Sequence, residues 1–341
     1  MHTNTGRFFV FACFLLVSGV CSASKEDSVN PETLITQARK LHEVWTTGTP
    51  PVVMRAEIQV LSAKGGLTPG EYIINWVSPV RWREELRFVN YERVRVYDAK
   101  GYWQKSELKF QPETIFQFDT LLSSKSVLKI GAKQVLGKVK TRDKDGVRQK
   151  CTEVKWKAGT DRILCFDEAR GDLVSVEYPG NENQNPPEIS RIEYSAFHNV
   201  GEKRVPFEIL AFRDKKVVAT VRVLELTPVA EENPSLFVAP PNSEFWAHCD
   251  DMQEAELIGG VQPGYPLGAR SNGKEGRVIF YAVIEADGTL SHLTIIHRAA
   301  PALESAAADA IRQWHYKPAA CGSTPIRVET SISTDFWLQR Y

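Results

Sequence analysis

His248, Cys249, Asp250 and Asp251 form the densest run of potential metal ligands in the chain. Neighbouring side chains diverge along a backbone, so four in a row converge poorly on one ion. Cys249 is more simply read as half of a disulfide that tethers a loop. His292 and His297 stand five apart in a strand-like run, which puts them on opposite faces. His315, between Trp314 and Tyr316, reads as a packed or surface residue. The chain contains no Gly-x-Ser-x-Gly, His-Glu-x-x-His or P-loop string. It also lacks a Cys-x-x-Cys pair, which removes support for zinc or thioredoxin-type redox chemistry. Glu84-Glu85 and Glu231-Glu232 are most simply solvated charges. The expectation is a chain with no catalytic residue, no metal and no cofactor. A hydrolase would need a cleft in which Ser, His and Asp converge.

Six cysteines occur, and two of them, Cys13 and Cys21, fall in an N-terminal targeting segment. Arg7 precedes an apolar run from Phe8 to Val20, and Cys21-Ser22-Ala23 supplies small residues for signal peptidase. The run is shorter than the roughly 20 residues of a spanning helix. Residues 1–23 are therefore expected to be a cleaved signal peptide. Acylation at Cys21 and an uncleaved anchor are the alternatives. Export to the periplasm makes disulfides the natural state of Cys151, Cys165, Cys249 and Cys321. CTEVKWK (151–157) and DRILCF (161–166) flank Ala158-Gly159-Thr160 and read as a hairpin. Cys151 would face Cys165 across it, which leaves Cys249 for Cys321. Four reduced, buried thiols are the alternative.

Lys plus Arg and Asp plus Glu both number 42, and charged residues make up 25% of the chain. A balanced chain has no overall electrostatic reason to bind nucleic acid. Hydrophobic residues are 43%, enough for sizeable cores.

The elements read as follows. Asn30 caps a helix from Pro31 to Trp45, with Leu34, Ala38, Leu41 and Trp45 on one face. Strand-like runs follow at 52–62, 70–77, 81–89, 93–98 and 101–107, then a short helix near Pro112 to Leu121. Further runs lie at 127–139, 150–157, 161–167, 172–178, 188–195, 204–213 and 216–227. A dozen short strands imply a bent antiparallel sheet or partial barrel with helices over it. Trp76, Trp82, Trp103, Tyr72 and Tyr102 on the first strands are core by default. Pro- and Gly-rich residues then break the pattern. The expected organisation is a half-barrel domain at 30–246, a linker at 247–262 and a smaller domain at 263–341.

The first of these domains resembles the LolA/LolB-like lipoprotein carriers. The resemblance rests on Gly70-Glu-Tyr-Ile-Ile-Asn-Trp76, Ser78-Pro79-Val-Arg-Trp82, Val96-Tyr-Asp-Ala-Lys-Gly-Tyr-Trp103 and Leu236-Phe-Val-Ala-Pro-Pro241. It implies an incomplete antiparallel barrel over a cavity for an apolar or lipid ligand. The carriers have an arginine before the proline that helps lock a lid; here Ser78 stands there.

The smaller domain is similar to the TonB C-terminal domain. The matching residues are Gln262-Pro-Gly-Tyr265-Pro266, Ala269-Arg270, Gly276, Asp287-Gly288, Leu303, Ala307, Ile311, Trp314, Tyr316 and Pro318. Asp287-Gly288 is a hairpin signal. Leu303, Ala306, Ala307, Ala310, Ile311 and Trp314 make an apolar helical stripe. Ile326, Val328, Thr330, Ile332, Thr334 and Phe336 share one face of a closing strand. The fold class is thus α+β: a half-barrel followed by a β-β-α-β unit. The resemblance implies a partner, an outer-membrane transporter or other envelope protein, whose extended peptide adds to the closing strand. Its binding positions would be Gln262, Tyr265, Pro266, Ile326, Val328, Thr330 and Ile332. The alternative for Arg327 and Glu329 is that they are charges guarding that edge against pairing. A TonB energy transducer has a membrane anchor and a long Pro-rich rod; this sequence has a short leader and a β domain instead. Docking without force transmission is the expectation, and a membrane-anchored transducer is the alternative.

Overall fold

The computed structural model describes residues 29–61, 65–112, 115, 127–131, 134–156, 161–179, 189–229, 233–249 and 251–338. The expected signal peptide, most of the expected helix at 112–121, Glu231-Glu232 and Asp250 lie outside them.

Helix α1 spans Pro31–His42. The Asn30 side chain accepts from the Glu32 N–H, Pro31 opens the first turn, and Arg39, Lys40 and His42 sit at the negative end of the dipole. The helix stops three residues short of Trp45. Glu43 leaves the helical region, and the β-branched Val44, Thr46 and Thr47 that surround Trp45 favour extended chain. Trp45 packs on Trp76 instead, with ring centres 5.4 Å apart.

The first sheet has fourteen strands: β1 (Val52–Leu61), β2 (Leu67–Ser78), β3 (Arg81–Phe88), β4 (Tyr91–Asp98), β5 (Gly101–Ser106), β6 (Gln134–Leu136), β7 (Lys140–Lys144), β8 (Val147–Trp156), β9 (Arg162–Asp167), β10 (Leu173–Glu177), β11 (Arg191–Val200), β12 (Lys203–Arg213), β13 (Lys216–Pro228) and β14 (Glu244–Ala247). Their order is β14-β5-β4-β3-β2-β1-β13-β12-β11-β10-β9-β8-β6, with β7 also on β8. The two ends do not pair with each other, so the sheet is open. Alternate residues of β1 (Val52, Met54, Ala56, Ile58 and Val60) are buried. Leu34, Ile35 and Ala38 of α1 pack into the same core. Each Val, Leu, Ile or Met side chain among them contributes about 1.5–3 kcal/mol on burial.

The run expected at 127–139 is not one strand. Residues 127–128 are helical, and only Gln134–Leu136 pair, between Gly131 and Gly137. β7 has too few apolar residues to signal itself. It turns into β8 through Asp145 and Gly146, at φ 52° and 77°, which suits a two-residue hairpin.

The C-terminal part contains β15 (Glu256–Gly259), α2 (Leu267–Ser271), β16 (Gly276–Ile284), β17 (Leu290–His297), α3 (Pro301–Ile311), β18 (His315–Lys317), β19 (Ala319–Cys321), β20 (Thr324–Ile326) and β21 (Val328–Phe336). β17-β16-β21 form one antiparallel sheet, and β15-β18 and β19-β20 form two-stranded pairs. Leu303, Ala307 and Ile311 of α3 are buried against Val278, Phe280, Ile332 and Phe336. No helix among the described residues is long and apolar enough to cross a membrane.

Both expected disulfides form. Cys151 and Cys165 are register partners on β8 and β9. Cys249 joins Cys321, tying the chain just after β14 to β19.

Candidate docking strand and its anchorage

β21 pairs with β16 without a register break from Gly276↔Phe336 to Ile284↔Val328. It is the terminal strand of its sheet, so its other edge has no strand partner among the described residues. The opposite edge strand, β17, carries two register shifts, and His292 within it has φ 53°. Bulges of this kind twist an edge out of pairing geometry. β21 is therefore the flatter template of the two.

The expected binding residues fall in several places. Gln262 is exposed in the loop before α2. Tyr265 packs edge-on to Phe336 at 5.5 Å, and its hydroxyl donates to the Lys274 carbonyl. Pro266 stands at the N-cap of α2. Val328 and Thr330 are half-buried, and Ile332 is buried under α3. Ile326 is not on the same strand. It pairs with Ala319 in the β19-β20 hairpin, and the chain breaks step at Arg327 before β21 begins. Sequence alternation runs through this break, because a period of two survives a local change of partner.

The surrounding loops are fixed by close contacts. Trp314 Nε1 donates to the Val261 carbonyl at 2.8 Å. Gly288, at φ 85°, accepts at its carbonyl from the Tyr316 N–H. A Cβ there would lie 2.0 Å from the Tyr316 oxygen, so only glycine fits. Hydrogen bonds from the Thr289 hydroxyl and N–H hold the Asp287 carboxyl below its usual range.

The face of the sheet opposite α3 is also covered. Tyr281 and Val283 pack with Trp246 of β14, Tyr102 and Phe110. Glu329 accepts from Arg95 Nη2 at 3.0 Å, Gln111 Nε2 at 2.6 Å, Gln104 Nε2 at 3.3 Å and Tyr281 Oη at 2.9 Å. Burial raises the Tyr281 hydroxyl far above its ordinary pKa, and the Glu329 charge adds to that. Glu84 continues the network by accepting from Arg93, Arg95 and the Tyr72 hydroxyl, all at 3.3 Å. Arg93 is fully buried and also donates to Gln111 at 3.2 Å.

Two expectations from the sequence do not hold. Glu84 and Glu85 are buried, at 6% and 9% exposure, and are not solvated charges. Arg327 and Glu329 do not guard the edge of β21; they hold the two sheets together. Arg327 donates to the Phe245 carbonyl at 3.0 Å, pairs with Glu244 at 3.2 Å and lies 4.2 Å over the Trp246 ring.

Trp76, Trp82, Tyr97, Tyr102 and Trp246 are register partners across β2, β3, β4, β5 and β14. Trp82 stacks on Tyr97 at 3.5 Å, and the row ends beneath Arg327. Trp103, the neighbour of Tyr102, takes the other face against Phe245 at 5.1 Å. His42 gave no sequence signal as a functional group, yet it is buried where α1 meets the sheet. Its Nδ1 lies 3.1 Å from the Arg204 carbonyl, and its Nε2 accepts from the Leu173 N–H at 3.0 Å. Burial lowers its pKa, with nearby Asp172 acting in the opposite sense. Among the described residues, no three His, Cys, Asp or Glu side chains gather as a metal site.

The family model of the Gram-negative bacterial TonB protein C-terminal region matches residues 261–338. No curated protein matches the chain. Among solved structures, three are similar over part of the chain. A putative outer membrane lipoprotein-sorting protein domain from Vibrio parahaemolyticus has TM-score 0.39 and 11% identity, covering 60% of this chain and 94% of that one. A LolA-superfamily protein from Nitrosomonas europaea has TM-score 0.39 and 10% identity, covering 62% and 98%. A DUF1329 family protein from Desulfovibrio piger has TM-score 0.42 and 7% identity, covering 61% and 95%. The TonB C-terminal resemblance read from the sequence thus reappears over residues 261–338.

Proposed function

We propose that this is an exported, non-enzymatic protein of the cell envelope that docks an extended segment of a partner along β21. The uninterrupted register of this terminal strand carries the reading. An added peptide would complete the main-chain ladder, and its alternate side chains would read the flanking surface. The partner is a periplasmic segment of an outer-membrane transporter or of another envelope protein, and the docking supports transport across the outer membrane. The first sheet serves as a second module that holds an apolar or lipid ligand or a second protein. The β domain that precedes the docking module, where a transducer has its rod, favours docking without pulling.

The test is amide hydrogen exchange on the mature full-length chain with and without TonB-box peptides of outer-membrane transporters. Alternate amides between Thr330 and Phe336 are expected to slow when peptide is present. Protection that appears only elsewhere, or no binding by a folded chain, would remove the proposal.

A further inference from the structure

A cavity of about 190 Å³ lies at the junction of the two sheets. That is the space of about six liquid waters, small for a binding pocket but ample for a compact organic molecule. Tyr91, Phe110, Trp246 and Tyr281 supply aromatic walls from both parts of the chain.

Two hydroxyls on this lining are met only by each other. Tyr91 Oη and Ser106 Oγ are buried, and neither has a hydrogen-bond partner outside the pair among the described residues. Their mutual hydrogen bond offsets part of the rise that burial gives the Tyr91 pKa. Tyr91 is only 4% exposed. Buried hydroxyls in folded proteins are nearly always fully paired, so a couple with one proton left over on a cavity wall marks a place for a polar ligand atom. One proton serves the pair, and the other is left to donate into the cavity.

The charges around the cavity are unequal in their freedom. Glu329 is engaged by four donors, and Glu244 is paired with Arg327. Lys109 lines the same cavity, is exposed, and forms no ion pair among the described residues. The paired groups cancel and Lys109 leaves a positive excess. His292, on the same lining, holds the left-handed backbone at φ 53° within a strand, a strain that concentrates at functional positions.

We infer that this cavity binds a small organic carboxylate with a compact apolar body. The rings of Phe110, Trp246 and Tyr281 take the body. The Tyr91–Ser106 hydroxyl couple donates its free proton to a carboxylate oxygen, and Lys109 supplies the balancing charge. The inference does not depend on strand addition at β21, so either can fail without the other.

The experiment is calorimetric titration of the mature full-length chain at neutral pH with benzoate, decanoate and benzyl alcohol. Benzoate is expected to bind, and benzyl alcohol, which lacks the charge, at least tenfold more weakly. Decanoate exceeds the cavity and is expected not to compete. Lys109→Gln is an exposed change that leaves the fold intact, and it should weaken benzoate at least tenfold. Tyr91→Phe combined with Ser106→Ala should do the same. The assignment is overturned if benzoate gives no heat at millimolar concentration, as it would for a cavity filled by water alone. Equal binding of benzyl alcohol, tighter binding of decanoate, or an unchanged affinity in Lys109→Gln would overturn it too.

Discussion

Arg95 and Glu329 lie 234 positions apart in sequence and meet at 3.0 Å, with side chains 11% and 9% exposed. The pair joins β4 of the large sheet to the start of β21. Removing one member of such a pair leaves the other charged and buried. Glu329→Ala would strand four donors at once, and it should cost roughly 3–5 kcal/mol. Urea unfolding followed by circular dichroism measures this. A loss below about 1 kcal/mol would mean that the network is solvated and does not hold the sheets together.

His42 makes stability depend on pH. Its ring is held neutral by burial, accepting from the Leu173 N–H through Nε2. The folded pKa is lowered, so between that value and the ordinary value of about 6.5 the unfolded chain binds the extra proton. The stabilisation is full above about pH 6.5 and is lost as pH falls from there toward the folded pKa. His42→Leu should be less stable at neutral pH and should flatten the slope below it. An identical slope in the variant would assign the pH dependence to other groups.

The two disulfides close loops of different length, with sequence separations of 14 and 72. On the chain-entropy account the shorter is worth roughly 3 kcal/mol and the longer roughly 4 kcal/mol. Cys249→Ser with Cys321→Ser should therefore lower stability more than Cys151→Ser with Cys165→Ser. Unfolding midpoints of the two double variants, compared with reduced wild type, decide the order.

Gly288→Ala tests the link between the β16-β17 hairpin and the strand after α3. The new methyl would meet the Tyr316 carbonyl, in a backbone region that L-residues rarely adopt. A destabilisation of more than about 1 kcal/mol is expected, read from urea unfolding. A neutral result would show that the hairpin shifts freely away from Tyr316.

Most strands were legible because they announce themselves locally. Period-two alternation and turn residues located β1 to β5 within a few residues, and Asp287-Gly288 located the β16-β17 hairpin. The Cys151 and Cys165 pair followed from the same hairpin logic. What stayed hidden was long-range. Glu84 and Glu329 look like surface charges in any window of sequence, since their partners lie on other strands. Ile326 fits the alternation of β21 yet belongs to another hairpin, because periodicity reports a face and not a partner. The polar β7 has strand geometry supplied by β8 and shows no pattern of its own. Tyr91 and Ser106 stand out only when the cavity between the sheets is in view.

The central pairing of the large sheet joins β1 to β13, with Val60 opposite Ala219. Closing so long a loop has an entropic toll that must be met before the contact gives anything back. The meanders β1 to β5 and β8 to β13 can each form early from neighbouring hairpins. The seam between them has to wait until almost all of the first module has been synthesised. Until it closes, two bare strand edges face one another, and the chain's exposure to aggregation is set by how quickly that seam zips.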